Sequence, residues 1–371
     1  MRLRDFSLDL AEPLETAKGE ITSRRGVLVG VDAGQGDVDA GHDTPRAGGD
    51  APARGVGEAT PLPGWTESLE ACRDALATHA DEGPGEALAA LEADHRPAAR
   101  HGLSLAVLDS VAREAGESLA ARLADRESAV AERVPVNATI GGGTPAEAVA
   151  AAERAVDAGY ECLKLKAGLG ALPLDLRRVR VVRDAVGDGV TLRVDANGSW
   201  TPAVAERAIE SLSALGVSYV EQPVPAADLA AMADLRGRGV GVAADEALAE
   251  HDLDSVLDAD AADVVVLKPM ALGGIDRARE AARAARRAGV DVVVTTTIDG
   301  AVARAGAVHL AASLPDVLPC GLATGELLAE DFVDDLAPVE DGAVAVPDGP
   351  GIAGGAFDDL VWNDGANADG A

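Results

Sequence analysis

Six polar residues recur at regular intervals through the middle of the 371-residue chain, and their chemical types belong together. Lys164 and Lys166 form a Lys-x-Lys pair, followed by Asp195, Glu221, Asp245 and Lys268. The steps from Lys166 to Lys268 are 29, 26, 24 and 23 residues, each close to one strand–helix repeat. Three carboxylates gathered in one place make an all-oxygen site for a hard divalent cation, magnesium first and manganese second. The expected ligands are Asp195, Glu221 and Asp245. Lysines on both flanks of a metal-bound anion suit removal of a proton alpha to a carboxylate. The ion stabilises the enediolate and a lysine takes the proton. Each carboxylate taken alone could instead cap the helix that follows it. Three at consecutive repeats, flanked by lysines, speak against that reading, because buried charges persist only when paired or metal-bound.

Lysine is itself informative here. Only four of the 32 basic residues are lysine (Lys18, Lys164, Lys166 and Lys268), and the rest are arginine. A lysine kept where arginine is the rule does something a permanently protonated guanidinium does not, namely give up its proton and so act as a base.

The elements that must position these residues begin near residue 134. Short β-rich runs cover 134–140, 162–168, 190–197, 217–224, 240–246, 262–269, 291–299 and 318–325. Amphipathic segments such as TPAEAVAAAERAVDAG and GGIDRAREAARAARRAG lie between them, with cap residues at their starts and glycine at their ends. Eight such units predict an α/β fold, a (β/α) barrel of the modified TIM type over 134–325, with an open doubly wound sheet as the alternative. In a parallel barrel the site lies at the carboxyl ends of the strands. Alternation along a strand turns Lys164 and Lys166 to the same inner face, with Cys162 deeper on it. Residues 1–133 predict an α+β capping domain, with a flexible acidic and Gly-rich loop at 34–55. Residues 326–371 are expected to return to that cap and to end in a disordered tail.

Composition excludes several function classes. The net charge of -31 repels nucleic acid and anionic lipid, so neither is an expected partner. A hydrophobic content of 47% nonetheless supports a folded core. No apolar run is long enough to span a membrane, and the N-terminus has no secretory h-region. Cys72, Cys162 and Cys320 are too few and too scattered for a disulfide framework or a zinc site. A cytoplasmic location follows as the expectation, and the acidic, lysine-poor composition fits a high-salt cytoplasm. The expected partner is a small-molecule carboxylate substrate; the chain is read as a monomer or homo-oligomer. None of the six histidines falls in a metal-ligand pattern, and His309 reads as a packing residue inside a helix.

The motifs KxK, VDAN, VEQP, ADE and LKP resemble the muconate-lactonizing subgroup of the enolase superfamily, and the resemblance runs over nearly the whole chain. Within that subgroup GEATPLPGWT (57–66) and TTTIDGAVARAGAVHLAA (295–312) are similar to segments of the o-succinylbenzoate synthases, here in a form suited to a halophilic archaeon. The resemblance implies that Asp195, Glu221 and Asp245 bind magnesium and that Lys166 is the base. Its conjugate acid would then assist loss of hydroxide in a syn elimination. Lys268 would stabilise the enediolate by charge and cation–π contact. Lys164 would tune Lys166 and approach the substrate carboxylate, and Thr295 would lie near the succinyl carboxylate. The implied reaction is dehydration of 2-succinyl-6-hydroxy-2,4-cyclohexadiene-1-carboxylate to 2-succinylbenzoate, a lyase step of menaquinone biosynthesis. A dipeptide epimerase, an N-succinylamino acid racemase or a muconate cycloisomerase are the alternatives within the superfamily. The stretch GLATGELLAEDF lacks the DxD pair common in dipeptide epimerases. A catalytically silent metal-binding scaffold is the alternative of another class, and the intact polar set disfavours it.

Overall fold

The computed structural model describes residues 1–16, 19–32, 54–125 and 128–363. Lys18, the expected tail beyond 363 and the loop at 34–55 lie outside the described residues, except that Arg54 and Gly55 open a strand.

Three antiparallel strands begin the chain: β1 (Arg2–Thr16), β2 (Gly19–Asp32) and β3 (Arg54–Ala59), in the order β1-β2-β3. Four helices follow: α1 (Leu69–Thr78), α2 (Pro84–Ala93), α3 (Pro97–Ala115) and α4 (Leu119–Leu123). Neither β3 nor α2 is expected from the sequence pattern. The reason for β3 is visible in RGVGEA, whose alternate positions carry no side chain. A Cβ on Gly57 would overlap the Gly102 carbonyl oxygen, and one on Gly55 the Ala106 carbonyl oxygen, both in α3. Glycine therefore reads as loop in the sequence while serving close strand–helix contact in the fold.

The parallel sheet follows in the order β5-β6-β7-β8-β9-β10-β11, after the short strand β4 (Arg133–Pro135). Its strands are β5 (Ala138–Ile140), β6 (Cys162–Lys166), β7 (Thr191–Asp195), β8 (Val217–Glu221), β9 (Gly241–Ala244), β10 (Val264–Leu267) and β11 (Asp291–Val294). The crossovers are α5 (Pro145–Asp157), α6 (Leu172–Val186), α7 (Pro202–Ser213), α8 (Leu229–Leu235), α9 (Ala247–Glu250) with α10 (Leu253–Asp258), α11 (Pro269–Leu272) with α12 (Ile275–Arg287), and α13 (Ala301–Ser313). Thr144 and Glu147 form a capping box that starts α5, as the TPAE motif leads one to expect.

Two of the eight expected strands differ. The run 134–140 splits, so that β4 joins a small antiparallel sheet with β12 (Val339–Glu340) and β13 (Ala343–Ala345), pairing with β13, and only β5 joins the parallel sheet. The run 318–325 forms no strand. Cys320 and Gly321 make single bridges to Val136 and Thr295, and these join the two edges of the curled sheet. Pro319 has no N–H to donate, which stops a longer ladder there. Outward-facing Leu163, Leu165, Leu192, Val194, Val220 and Val242 pack with the alanine-rich helix faces in the main core. Tyr219, Ala243, Val264, Val266 and Val293 form a separate buried cluster on the inner face. At the chain's end, α14 (Asp359–Trp362) lies against β2, where Val361 and Trp362 approach Gly30.

One buried carboxylate ties the N-terminal sheet to the barrel. Glu58 of β3 accepts the Gly300 N–H (2.7 Å) and the Ala303 N–H (2.9 Å) at the start of α13. Burial, and then repulsion from Asp299, push its carboxyl up to about 7. Among the described residues, no helix is long and apolar enough to cross a membrane.

Candidate active site

Parallel register sets the site out in layers. Lys166, Asp195 and Glu221 are direct neighbours across β6, β7 and β8, and Lys164, Arg193 and Tyr219 lie one pleat below. Asp245 follows the last residue of β9, and Lys268 follows β10 as the residue before α11. All six expected residues thus stand at the carboxyl ends of consecutive strands. The three carboxylates are almost wholly enclosed, at 1%, 2% and 3% exposure for Asp195, Glu221 and Asp245.

Each carboxylate has a lysine. Lys164 Nζ donates to Glu221 Oε1 (3.0 Å) and Oε2 (3.2 Å), and stands 3.2 Å from Asp195 Oδ2. Lys166 Nζ donates to Asp195 Oδ2 (2.7 Å) and to Asn197 Oδ1 (2.9 Å). Lys268 Nζ donates to both oxygens of Asp245, at 2.6 Å each. Burial alone would drive Lys164 towards its neutral form, but Glu221 and Asp195 hold its pKa well above the usual lysine value. Burial also opposes ionisation of Asp195, and Lys164 and Lys166 outweigh it, so that carboxyl lies well below the usual range. Glu221 moves the other way: burial, and then Asp195, push its carboxyl up to about 7. Burial likewise raises Asp245, against the pull of Lys268.

Five further residues build the site that sequence reasoning did not single out. Asn197 sits in the left-handed region (φ 44°), a conformation asparagine tolerates, and its N–H donates to Asp195 Oδ1 (3.1 Å). Its Nδ2 donates to Glu246 Oε1 (2.9 Å), which turns its carbonyl towards Lys166. Gln222 (φ 39°) accepts the N–H groups of Asp245 (3.1 Å) and Ala247 (2.9 Å), and so fixes where Asp245 leaves its strand. Trp65 comes from the N-terminal region and lays its ring 3.4 Å from Lys268 Nζ. Its turn is held by Trp65 and Thr66 N–H bonds to the Leu62 carbonyl, both 3.0 Å. Arg193 fills the layer beneath, donating to the Pro319 carbonyl (2.6 Å) with its guanidinium over the Tyr219 ring. Strand alternation from Asp195 would have placed Arg193 on the inner face. Nothing in the local sequence points Trp65 at Lys268.

Cys162 is buried below Lys164, and burial raises its thiol, as befits a core residue. The Thr295 hydroxyl donates to the Gly321 carbonyl (2.8 Å) at the seam of the sheet. As placed it has no proton to offer a substrate carboxylate, so the expected contact would require that bond to break.

The donor set suits a hard divalent ion in chemistry: three enclosed carboxylates with no imidazole or thiolate among them. In arrangement the carboxylates are turned to ammonium groups. Among the described residues, no three Asp, Glu, His or Cys side chains are gathered closely enough to hold a metal ion. A bound ion would compete with Lys164 and Lys268 for oxygens they now occupy. Burial and the neighbouring Asp195 disfavour the charged form of Glu221, and a bound divalent ion would favour it.

Comparison with known proteins places this geometry. Residues 147–355 match the family model described as enolase C-terminal domain-like. The o-succinylbenzoate synthase of Thermobifida fusca is 43% identical over 217 residues, which is 57% of this chain and 66% of that protein. The o-succinylbenzoate synthase of Mycobacterium tuberculosis is 40% identical over 219 residues, 58% of this chain and 64% of that protein. The chain thus spans just under two thirds of the length of these curated relatives. The L-Ala-D/L-Glu epimerase from Bacillus subtilis superposes with a TM-score of 0.80 at 25% identity, over 95% of this chain and 96% of the other. Muconate lactonizing enzyme from Pseudomonas fluorescens superposes with a TM-score of 0.80 at 25% identity, over 95% and 94%. Those neighbours are barrels of the same superfamily, and with more than half of its own length matched by the family model, this chain belongs to the enolase C-terminal domain-like family.

Proposed function

We propose that the chain is an o-succinylbenzoate synthase, a lyase that works in the cytoplasm on a small dicarboxylate. The observation that carries this reading is the interleaving of three lysines with three buried carboxylates at consecutive strand ends. Asp195, Glu221 and Asp245 would hold magnesium, or manganese in its place. Such an ion supplies Lewis-acid stabilisation of the negative charge that develops on the substrate carboxylate.

The chain's own residues do the rest. Lys166 is the most exposed of the three lysines, at 31% of its side chain, and takes the alpha proton from one face of the ring. The C–H electron pair becomes the new ring double bond, and the hydroxyl leaves with a proton from Lys166 on the same face. Lys268 holds a fixed positive charge over the opposite face. Asn197, oriented by Glu246, keeps Lys166 aimed. Lys164 adds positive charge at the substrate carboxylate, and the Trp65 ring lies against Lys268. Relatives at 38–43% identity carry the o-succinylbenzoate synthase name, which supports this substrate over the alternatives.

An epimerase reading is supported by the Bacillus subtilis neighbour and by lysines on both sides of the cleft. Assay of the purified chain in molar KCl with magnesium separates the two. The proposal predicts turnover of the cyclohexadiene carboxylate and none of a dipeptide panel. Dipeptide epimerisation without dehydration would overturn it.

A further inference from the structure

A second charged cavity lies away from these lysines. It has a volume of about 450 Å³ and is lined by Arg279, Arg283, Arg286 and Arg287, with Asp125 and Ser313 beside them. The four arginines are spaced i, i+4, i+7 and i+8 along α12, which puts them on one stripe of the helix. Because α12 runs from β10 back to the start of β11, its last turns lie at the face of the barrel opposite the active site.

This concentration of positive charge is anomalous in a chain with 63 acidic and 32 basic residues. The helix dipole favours cations in the last turn, which accounts for Arg286 and Arg287. It does not account for Arg279 two turns earlier, and like charges at i, i+4 destabilise a helix. Among the described residues, Asp125 is the single acid lining the cavity. It pairs with Arg279 (3.6 Å) and Arg283, and is itself 54% exposed. Arg286 and Arg287 form no ion pair or side-chain hydrogen bond among the described residues, and the buried Nε of Arg279 has no acceptor. Among the described residues, several planar donor forks therefore line one cavity with few acceptors.

We propose that this cavity binds a small multivalent oxyanion of the phosphate type. Guanidinium forks match tetrahedral and planar oxyanions through paired hydrogen bonds. A large polyanion such as nucleic acid or an acidic protein would meet the repulsion of the remaining surface, whereas a compact anion enters the local positive field alone.

The test is titration calorimetry of diphosphate into the full chain at constant high KCl, for the native protein and the Arg283→Gln/Arg286→Gln double variant. Saturable binding is expected, weakened at least about tenfold in the double variant, with the turnover at the opposite face unchanged. No saturable binding, or equal binding by a variant with a normal melting curve, overturns the proposal. A variant-free measurement covers the case of misfolding. Diphosphate should protect Arg283 and Arg286 of the native chain from phenylglyoxal, read by peptide mass, and unprotected arginines would refute the site.

Discussion

His309 offers a prediction whose sign and size both come from its surroundings. The ring is fully buried in α13. Its Nδ1 accepts the Ala120 N–H (3.2 Å) and its Nε2 donates to the Ile352 carbonyl (2.9 Å), which selects one neutral tautomer. Protonation at Nδ1 would set two N–H groups against each other. Burial, against the weaker pull of the Ile352 carbonyl, lowers the imidazole to about 4. In the unfolded chain histidine titrates near 6.5. Between those values the unfolded state binds a proton that the folded state refuses, so stability present above pH 6.5 is lost as pH falls towards 4. From about pH 7.5 to about pH 4.5 that is roughly two units of linkage, or ~3 kcal/mol. The assay is urea unfolding of the native chain and His309→Gln in one KCl concentration at both pH values. Carboxylate titrations common to both proteins cancel in the difference. The native chain should lose ~3 kcal/mol more than the variant over this span. Parallel pH curves would refute the assignment of a buried neutral imidazole.

Other consequences follow from the same structure. Dialysis against a chelator should abolish turnover, and added magnesium or manganese should restore it; full activity of metal-free protein would contradict the role given to Asp195, Glu221 and Asp245. The melting temperature should rise steeply with KCl, because the Debye length grows to about 30 Å at 0.01 M and leaves the net charge of -31 unscreened. Scanning calorimetry at low and molar salt would show it. Gly57→Ala should cost about 2 kcal/mol or more in urea unfolding, since the new methyl meets the Gly102 carbonyl of α3 rather than a yielding side chain.

Much of the candidate site was legible in the sequence because it depends on two simple periods. Alternation along β6 puts Lys164 and Lys166 on one face, and the repeat length of a strand–helix unit brings Asp195, Glu221, Asp245 and Lys268 to the same end. What escaped was set by contacts between segments distant in the chain. Trp65 reaches Lys268 across about two hundred residues, a pairing no local pattern encodes. Gly55 reads as the end of the 34–55 loop because the close approach of α3, which explains Gly55 and Gly57 alike, is a tertiary fact. The eighth strand was misread because Pro319 and Gly321 break a ladder that valine-rich runs elsewhere sustain. The turning of the carboxylates towards lysines was also out of reach, since periodicity fixes which face a side chain takes and not which partner it chooses.

The central claim is that Lys166 moves the proton while Lys268 supplies charge. Arginine is this chain's usual cation, so exchanging each lysine for arginine keeps the charge and removes the ability to act as a base. The measurement is turnover of the cyclohexadiene carboxylate by Lys166→Arg and Lys268→Arg, with melting curves as the folding control. Lys166→Arg should lose at least about a thousandfold, in the range set by loss of a general acid–base group, whereas Lys268→Arg should keep measurable activity. Near-normal dehydration by Lys166→Arg would contradict the account, and equal inactivation of both variants would favour two-way proton transfer instead.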